Sequence, residues 1–99
     1  MGLASRRRPQ KLAAKLKQVR ISLNLSQTEM VKKLGLEDEM ERERISKYER
    51  GILEPPLHVL YEYSKISNCY LEIFVNDEID LPPTIPSFVK YEGSEKISE

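Results

Sequence analysis

Nine lysines and arginines stand against a single acid, Glu29, in residues 1–33 of a 99-residue chain whose formal net charge is zero. Cations concentrated in one part of a balanced chain are a footprint for phosphate, although they also suit a solvated helix face. The remainder is acidic. Residues 34–54 hold four bases and seven acids, and residues 55–99 hold three bases and eight acids. Other reactive residue types are sparse. One cysteine, Cys69, allows no internal disulfide and no CxxC metal site, so a reducing compartment fits and a small buried residue is expected. One histidine, His58, follows Leu57 and reads as an exposed polar residue. Glu37, Asp38, Glu39, Glu41 and Glu43 resemble a metal cluster in composition only, because calcium needs an oxygen-rich loop and these lie in a helical pattern. There is no paired catalytic spacing, phosphate loop or metal motif. The expectation is a protein that is not an enzyme and needs no cofactor.

The elements that must position the cations follow from periodicity. Leu12, Leu16, Val19 and Leu23 recur at spacings of four, three and four, which predicts an amphipathic helix over 9–23 with Pro9 in its first turn. Asn24 suits the left-handed residue that ends it. In "LSQTEMVKKLG", Ser26 and Glu29 form a capping box, Leu25 and Met30 a hydrophobic staple, and Gly35 the stop. Met30, Val31 and Leu34 are expected inside. In "LEDEMERERISKYERG", Asp38 and Glu41 repeat the box and Gly51 stops a third helix over 39–50, with Ile45 and Tyr48 inward. Pro55-Pro56 opens a fourth helix over 56–67 with Leu57, Leu60, Tyr61 and Ser64 on one face, ended by Asn68. A fifth, over 70–76, carries Leu71, Phe74 and Val75. Tyr61, Tyr63 and Tyr70 read as packing residues. Prolines after Asp80 forbid helix, so 81–99 reads as extended, with Ile85, Phe88, Val89 and Tyr91 as anchors.

Hydrophobic residues are 39% of the chain, enough for one modest core. No apolar run approaches the ~20 residues of a membrane span. The N-terminal stretch is a poor signal peptide, and Arg6 stands where a myristoylation motif wants Ser or Thr. A cytoplasmic, nucleoid-associated protein is expected. The division is a basic arm 1–8, a domain 9–78 and an extended tail 79–99.

"LSQTEMVKKLG", "ISKYERG" and "PPLHVLYEYSKIS", in that order, resemble the Cro/phage-repressor-like (XRE) helix-turn-helix family over roughly 12–78. The resemblance implies an all-α, five-helix, lambda-repressor-like fold and a sequence-specific double-stranded DNA-binding regulator, most often a repressor. It implies that helix 39–50 enters the major groove and that Arg42, Glu43, Ser46 and Lys47 read bases. The chemistry agrees: Arg takes guanine O6 and N7, Glu accepts from cytosine N4, and Lys donates to guanine. The competing role of that helix is an exposed surface laced by i,i+4 ion pairs. Gln27, Arg44 and Arg50 are implied phosphate contacts. Arg7 and Arg8 are either a phosphate or minor-groove arm or a soluble terminus. Arg20 and Glu49 are implied to form a structural ion pair, with phosphate binding the competing role of Arg20.

The chain departs from the family in one place. About six residues usually separate the turn glycine from the core isoleucine, whereas ten separate Gly35 from Ile45. Either the turn is longer or the recognition helix starts a turn early, and the Asp38–Glu41 box favours the second. A homodimer on a palindromic operator is expected, with the fifth helix and tail as its interface. The alternative is an antitoxin-like or bridging protein that uses the same fold, and residues 79–99, mainly to bind another protein.

Overall fold

The computed structural model describes residues 9–83. Five helices and no strand occur among them: α1 Leu12–Ser22, α2 Gln27–Leu34, α3 Arg42–Glu49, α4 Leu57–Ser67 and α5 Leu71–Val75. The all-α, five-helix class is as expected. The arm with Arg7 and Arg8, and the anchors Ile85, Phe88, Val89 and Tyr91, lie outside the described residues.

Eight residues of helix are not stable alone in water. α2 persists because Met30, Val31 and Leu34 are all buried, and each such burial contributes roughly 1.5–3 kcal/mol. They meet Leu16 and Val19 of α1, Ile45 and Tyr48 of α3, Val59, Leu60 and Tyr63 of α4, and Phe74 of α5 in one core. Tyr63 and Phe74 meet edge to face, their ring centroids 6.4 Å apart. The α2 ends are as the sequence states. Ser26 Oγ accepts from the Glu29 amide, the Glu29 carboxylate accepts from the Ser26 amide, and Gly35 takes a φ of +74°. Asn24 and Asn68 also adopt positive φ, closing α1 and α4.

Three expectations are corrected. α3 begins at Arg42, not at 39, so the four extra residues lengthen the turn. Leu36 and Met40 are both buried, and the amides of Glu39 and Met40 bond back to the Leu36 carbonyl at 2.9 and 3.1 Å. Those two anchors close a loop that pushes Glu37, Asp38 and Glu39 into solvent, and Glu41 is left in extended backbone with no side-chain cap. The second correction is the phase of α4. Val59, Leu60, Tyr63, Ser64 and Ser67 face inward, whereas Leu57 is 70% exposed and Tyr61 is exposed under Lys65. Two overlapping apolar stripes share Leu60, and packing on α2, α5 and α1 selects the one with Tyr63. The third is that Tyr70 and Val75 are exposed rather than packed.

α1 also starts later than Pro9, for a tertiary reason. The Asp77 carboxylate, just past α5, accepts from the backbone amides of Gln10 and Lys11 at 2.8 and 3.0 Å. In the opposite direction, Lys15 of α1 is buried, and its Nζ donates to the carbonyls of Ile73, Asn76 and Ile79 at 2.6, 2.9 and 2.6 Å. Each element caps the other, and Leu81 joins the same core.

The Gln10 and Lys11 amides, and then the charges of Lys15 and Lys11, hold the Asp77 carboxyl below its ordinary 3.8. A carboxyl depressed in the folded state stabilises fully above its unfolded value, and the effect fades as pH falls through the lower folded value. Asp77→Asn is therefore expected to melt below the parent at neutral pH and to converge with it in acid well below 3.8. A gap that persists unchanged in acid would show that the carboxylate is not the cap.

Candidate nucleic-acid interface

α3 lies against α2 and α1. Ile45 and Tyr48 bury one side of it, and at ~100° per residue the opposite side carries Glu43, Ser46, Lys47 and Arg50. Arg42 sits on the flank toward α2. Arg44 sits on the other flank, in a groove between the long turn and α3 lined also by Glu39, Met40, Glu41, Glu43 and Lys47. Among the described residues, no ion pair joins Glu41 or Glu43 to Arg44 or Lys47.

A chain of hydrogen bonds fixes α3 in place. Arg20 Nε and Nη2 donate to Glu49 Oε2 and Oε1 at 2.7 and 3.0 Å, and Nη1 donates to the Leu25 carbonyl at 2.9 Å. The two side chains are 12% and 4% exposed, which marks a structural pair rather than a surface one. The hydrogen bond to Glu49 raises the Arg20 pKa, against burial, which lowers it. Tyr63 is pushed well above the ordinary phenol, first by burial and then by the Glu49 charge, so it stays neutral beside the pair.

Gln27, the first residue of α2, extends the chain to the other end of α3. Its Nε2 donates to Glu49 Oε1 at 3.2 Å, and its Oε1 accepts from Arg42 Nη1 at 3.1 Å. One amide thus spans α3 from its first residue to its last. The capping box uses the amides of Ser26 and Glu29 and leaves those of Gln27 and Thr28 outside it.

At the far end, Arg50 Nε donates to Ser46 Oγ at 3.1 Å. The long turn is held to α4 by His58 Nε2 and Glu39 Oε1, 2.8 Å apart and both exposed. No sequence signal marks that contact, because 19 positions separate the two residues. Lys15 and Asp77 were likewise invisible: one reads as a solvated lysine and the other as a loop acid until α1 and α5 meet. Among the described residues no cluster of three His, Cys, Asp or Glu could hold a metal ion, and no helix is long and apolar enough to cross a membrane.

A family model described as helix-turn-helix matches residues 16–74, from the middle of α1 to the end of α5. No curated protein and no solved structure matches the chain. The match contains the whole Arg20–Glu49–Gln27–Arg42 network, with all of α2 and α3. The chain belongs to this helix-turn-helix family, that of the Cro/phage-repressor-like DNA-binding regulators.

Proposed function

We propose that the protein is a sequence-specific repressor that binds double-stranded DNA as a homodimer, with the outer face of α3 in the major groove. The observation that carries this reading is the network from Arg20 through Glu49 and Gln27 to Arg42, which locks α3 while leaving Glu43, Ser46 and Lys47 directed away from the core. Preorganised donors and acceptors on a rigid helix are what base recognition requires. Arg42, at the start of α3, and Glu43, Ser46 and Lys47 are its base readers. Gln27, at the start of α2, Arg44, on the flank of α3, and Arg50, at its end, hold phosphate. Arg7 and Arg8, in the basic stretch ahead of Pro9, add further phosphate contacts. The exposed apolar residues Tyr70, at the N-cap of α5, and Val75 of α5, with Leu57 and Tyr61 of α4, are surface for the second copy.

Selection of bound duplexes from a random DNA pool tests this reading. An enriched inverted repeat is the expected result, and no enrichment would overturn it. Gln27→Ala is expected to weaken all duplexes by roughly 10- to 150-fold, since a hydrogen bond to a charged group contributes about 1.5–3 kcal/mol. The slope of log affinity against log salt should hardly change, because no charge is lost. A change confined to one base pair would instead make Gln27 a reader.

A further inference from the structure

His58 is the single histidine of the chain. It is the second residue of α4, and its Nε2 meets Glu39 Oε1 of the long turn at 2.8 Å. The two side chains are 58% and 51% exposed, so protons reach the pair freely. An imidazole can donate Nε2–H to a carboxylate whether the ring is neutral or protonated. Protonation therefore changes the charge of the pair and leaves the contact in place. Histidine is the side chain whose charge ordinarily changes between about pH 5 and 8.

The pair stands at the reading end of α3. Between Gly35 and Arg42 the turn carries four acids, Glu37, Asp38, Glu39 and Glu41, and no base. Glu39 precedes Arg42 by three residues, and three residues span at most about 10 Å. That is roughly one Debye length at physiological salt, so phosphates beside a base read by Arg42 lie within range of the charge on Glu39. The turn is anchored on both sides of Glu39. Leu36 and Met40 are buried, and the amides of Glu39 and Met40 bond to the Leu36 carbonyl. A proton on His58 thus acts on DNA through its field and does not move α3.

The surrounding charges leave that proton a role. Across the groove that Glu39 lines stand Glu43, Arg44 and Lys47 of α3. Along α4, Glu62 is paired with Lys65 at 3.3 Å. Glu54 precedes α4, and α2, which packs on α4, carries Lys32 and Lys33 in its last turn. Of these charged groups and the acids of the turn, only His58 changes charge near neutral pH in the ordinary way of its side-chain type. With the ring neutral, Glu39 adds to the repulsion of phosphate by the turn. With the ring protonated, the pair carries no net charge.

We infer that His58 couples DNA binding to pH: its proton cancels Glu39 beside the bound phosphates and tightens the complex. The coupling rests on the DNA-binding reading above. His58 then holds its proton more tightly in the complex than in the free protein. Binding takes up a proton, is strongest at pH below the imidazole range, and weakens as pH rises through it.

The test uses the full chain and the duplex enriched from the random pool, titrated between about pH 5.5 and pH 8. Exposed charges interact weakly, so the parent is expected to bind about 2- to 5-fold more tightly at the acid end. High salt should shrink the difference. His58→Gln can still donate to Glu39 but takes no proton, and should lose most of the pH response. Glu39→Gln deletes the acid and should bind at the alkaline end about as tightly as the parent does at the acid end. Nuclear magnetic resonance of the one imidazole should place its titration midpoint higher with the duplex than without it. If the parent and His58→Gln respond to pH alike, or if the imidazole midpoint is the same with and without the duplex, the coupling is overturned while DNA binding stands. If nothing is enriched from the pool, the DNA-binding reading falls and the coupling with it.

Discussion

Arg20→Ala is expected to lower the unfolding free energy by about 3 kcal/mol, the lower end of what removing one partner of a buried ion pair costs. For a domain of this size that corresponds to a fall of roughly 10 °C or more in melting temperature. The loss is large because of what stays behind. Glu49 is 4% exposed and keeps only the 3.2 Å bond from Gln27 to offset its charge. The Leu25 carbonyl also loses its donor, between α1 and α2. Glu49→Ala should cost less, because the Arg20 side chain is 12% exposed and can turn toward water. Replacing both with Met should recover part of the loss, since apolar pairs often substitute for buried ions without penalty. Thermal melting of the three variants decides the matter. If Arg20→Ala melts with the parent, Arg20 serves phosphate rather than the fold.

The second large effect is on DNA. The enriched site should be an inverted repeat with half-sites about 34 Å apart, one turn of the double helix. An eight-residue recognition helix offers only a few readers, and each base pair it reads is worth about 1–3 kcal/mol. Scrambling one half-site removes several of these at once. Affinity should then fall on the order of 10³-fold and approach the non-specific level. The measurement is a titration of intact, half-scrambled and fully scrambled duplexes, with the mass of the complex determined alongside. A half-scrambled duplex bound as tightly as the intact one, by a single copy, would rule out the dimer.

Some of this architecture is local and therefore legible in the sequence. The Ser26–Glu29 box, Gly35 and the inward positions of Met30, Val31, Leu34, Ile45 and Tyr48 are properties of one turn or one helical period, and each is found as read. The helix-turn-helix family was legible because its landmarks are of this kind, and the family match bears it out over residues 16–74. The Arg20–Glu49 pair came from that resemblance alone, for nothing local connects residues 29 positions apart.

Only the tertiary structure decided the rest. Asp38–Glu41 looked like a helix start, but its local preference was overruled by Leu36 and Met40, whose burial outweighs one capping box and holds the chain in a loop. On α4 the sequence reading chose the stripe through Leu57 and Tyr61, and packing against α2 and α5 buries the one through Val59 and Tyr63 instead. Lys15 and Asp77 acquired their roles because the end of α5 comes to rest at the start of α1, where three carbonyls need a donor and two amides need an acceptor. The resemblance implies that Arg42 reads bases and Arg50 contacts phosphate; what the structure adds is that Gln27 holds the first and Ser46 the second. The sequence supplies their charge, but which side of α3 faces the core, and which neighbour holds each guanidinium, is set by packing between helices. Sequence determined the parts whose energetics close within a turn; the fold decided every partner that lies further along the chain.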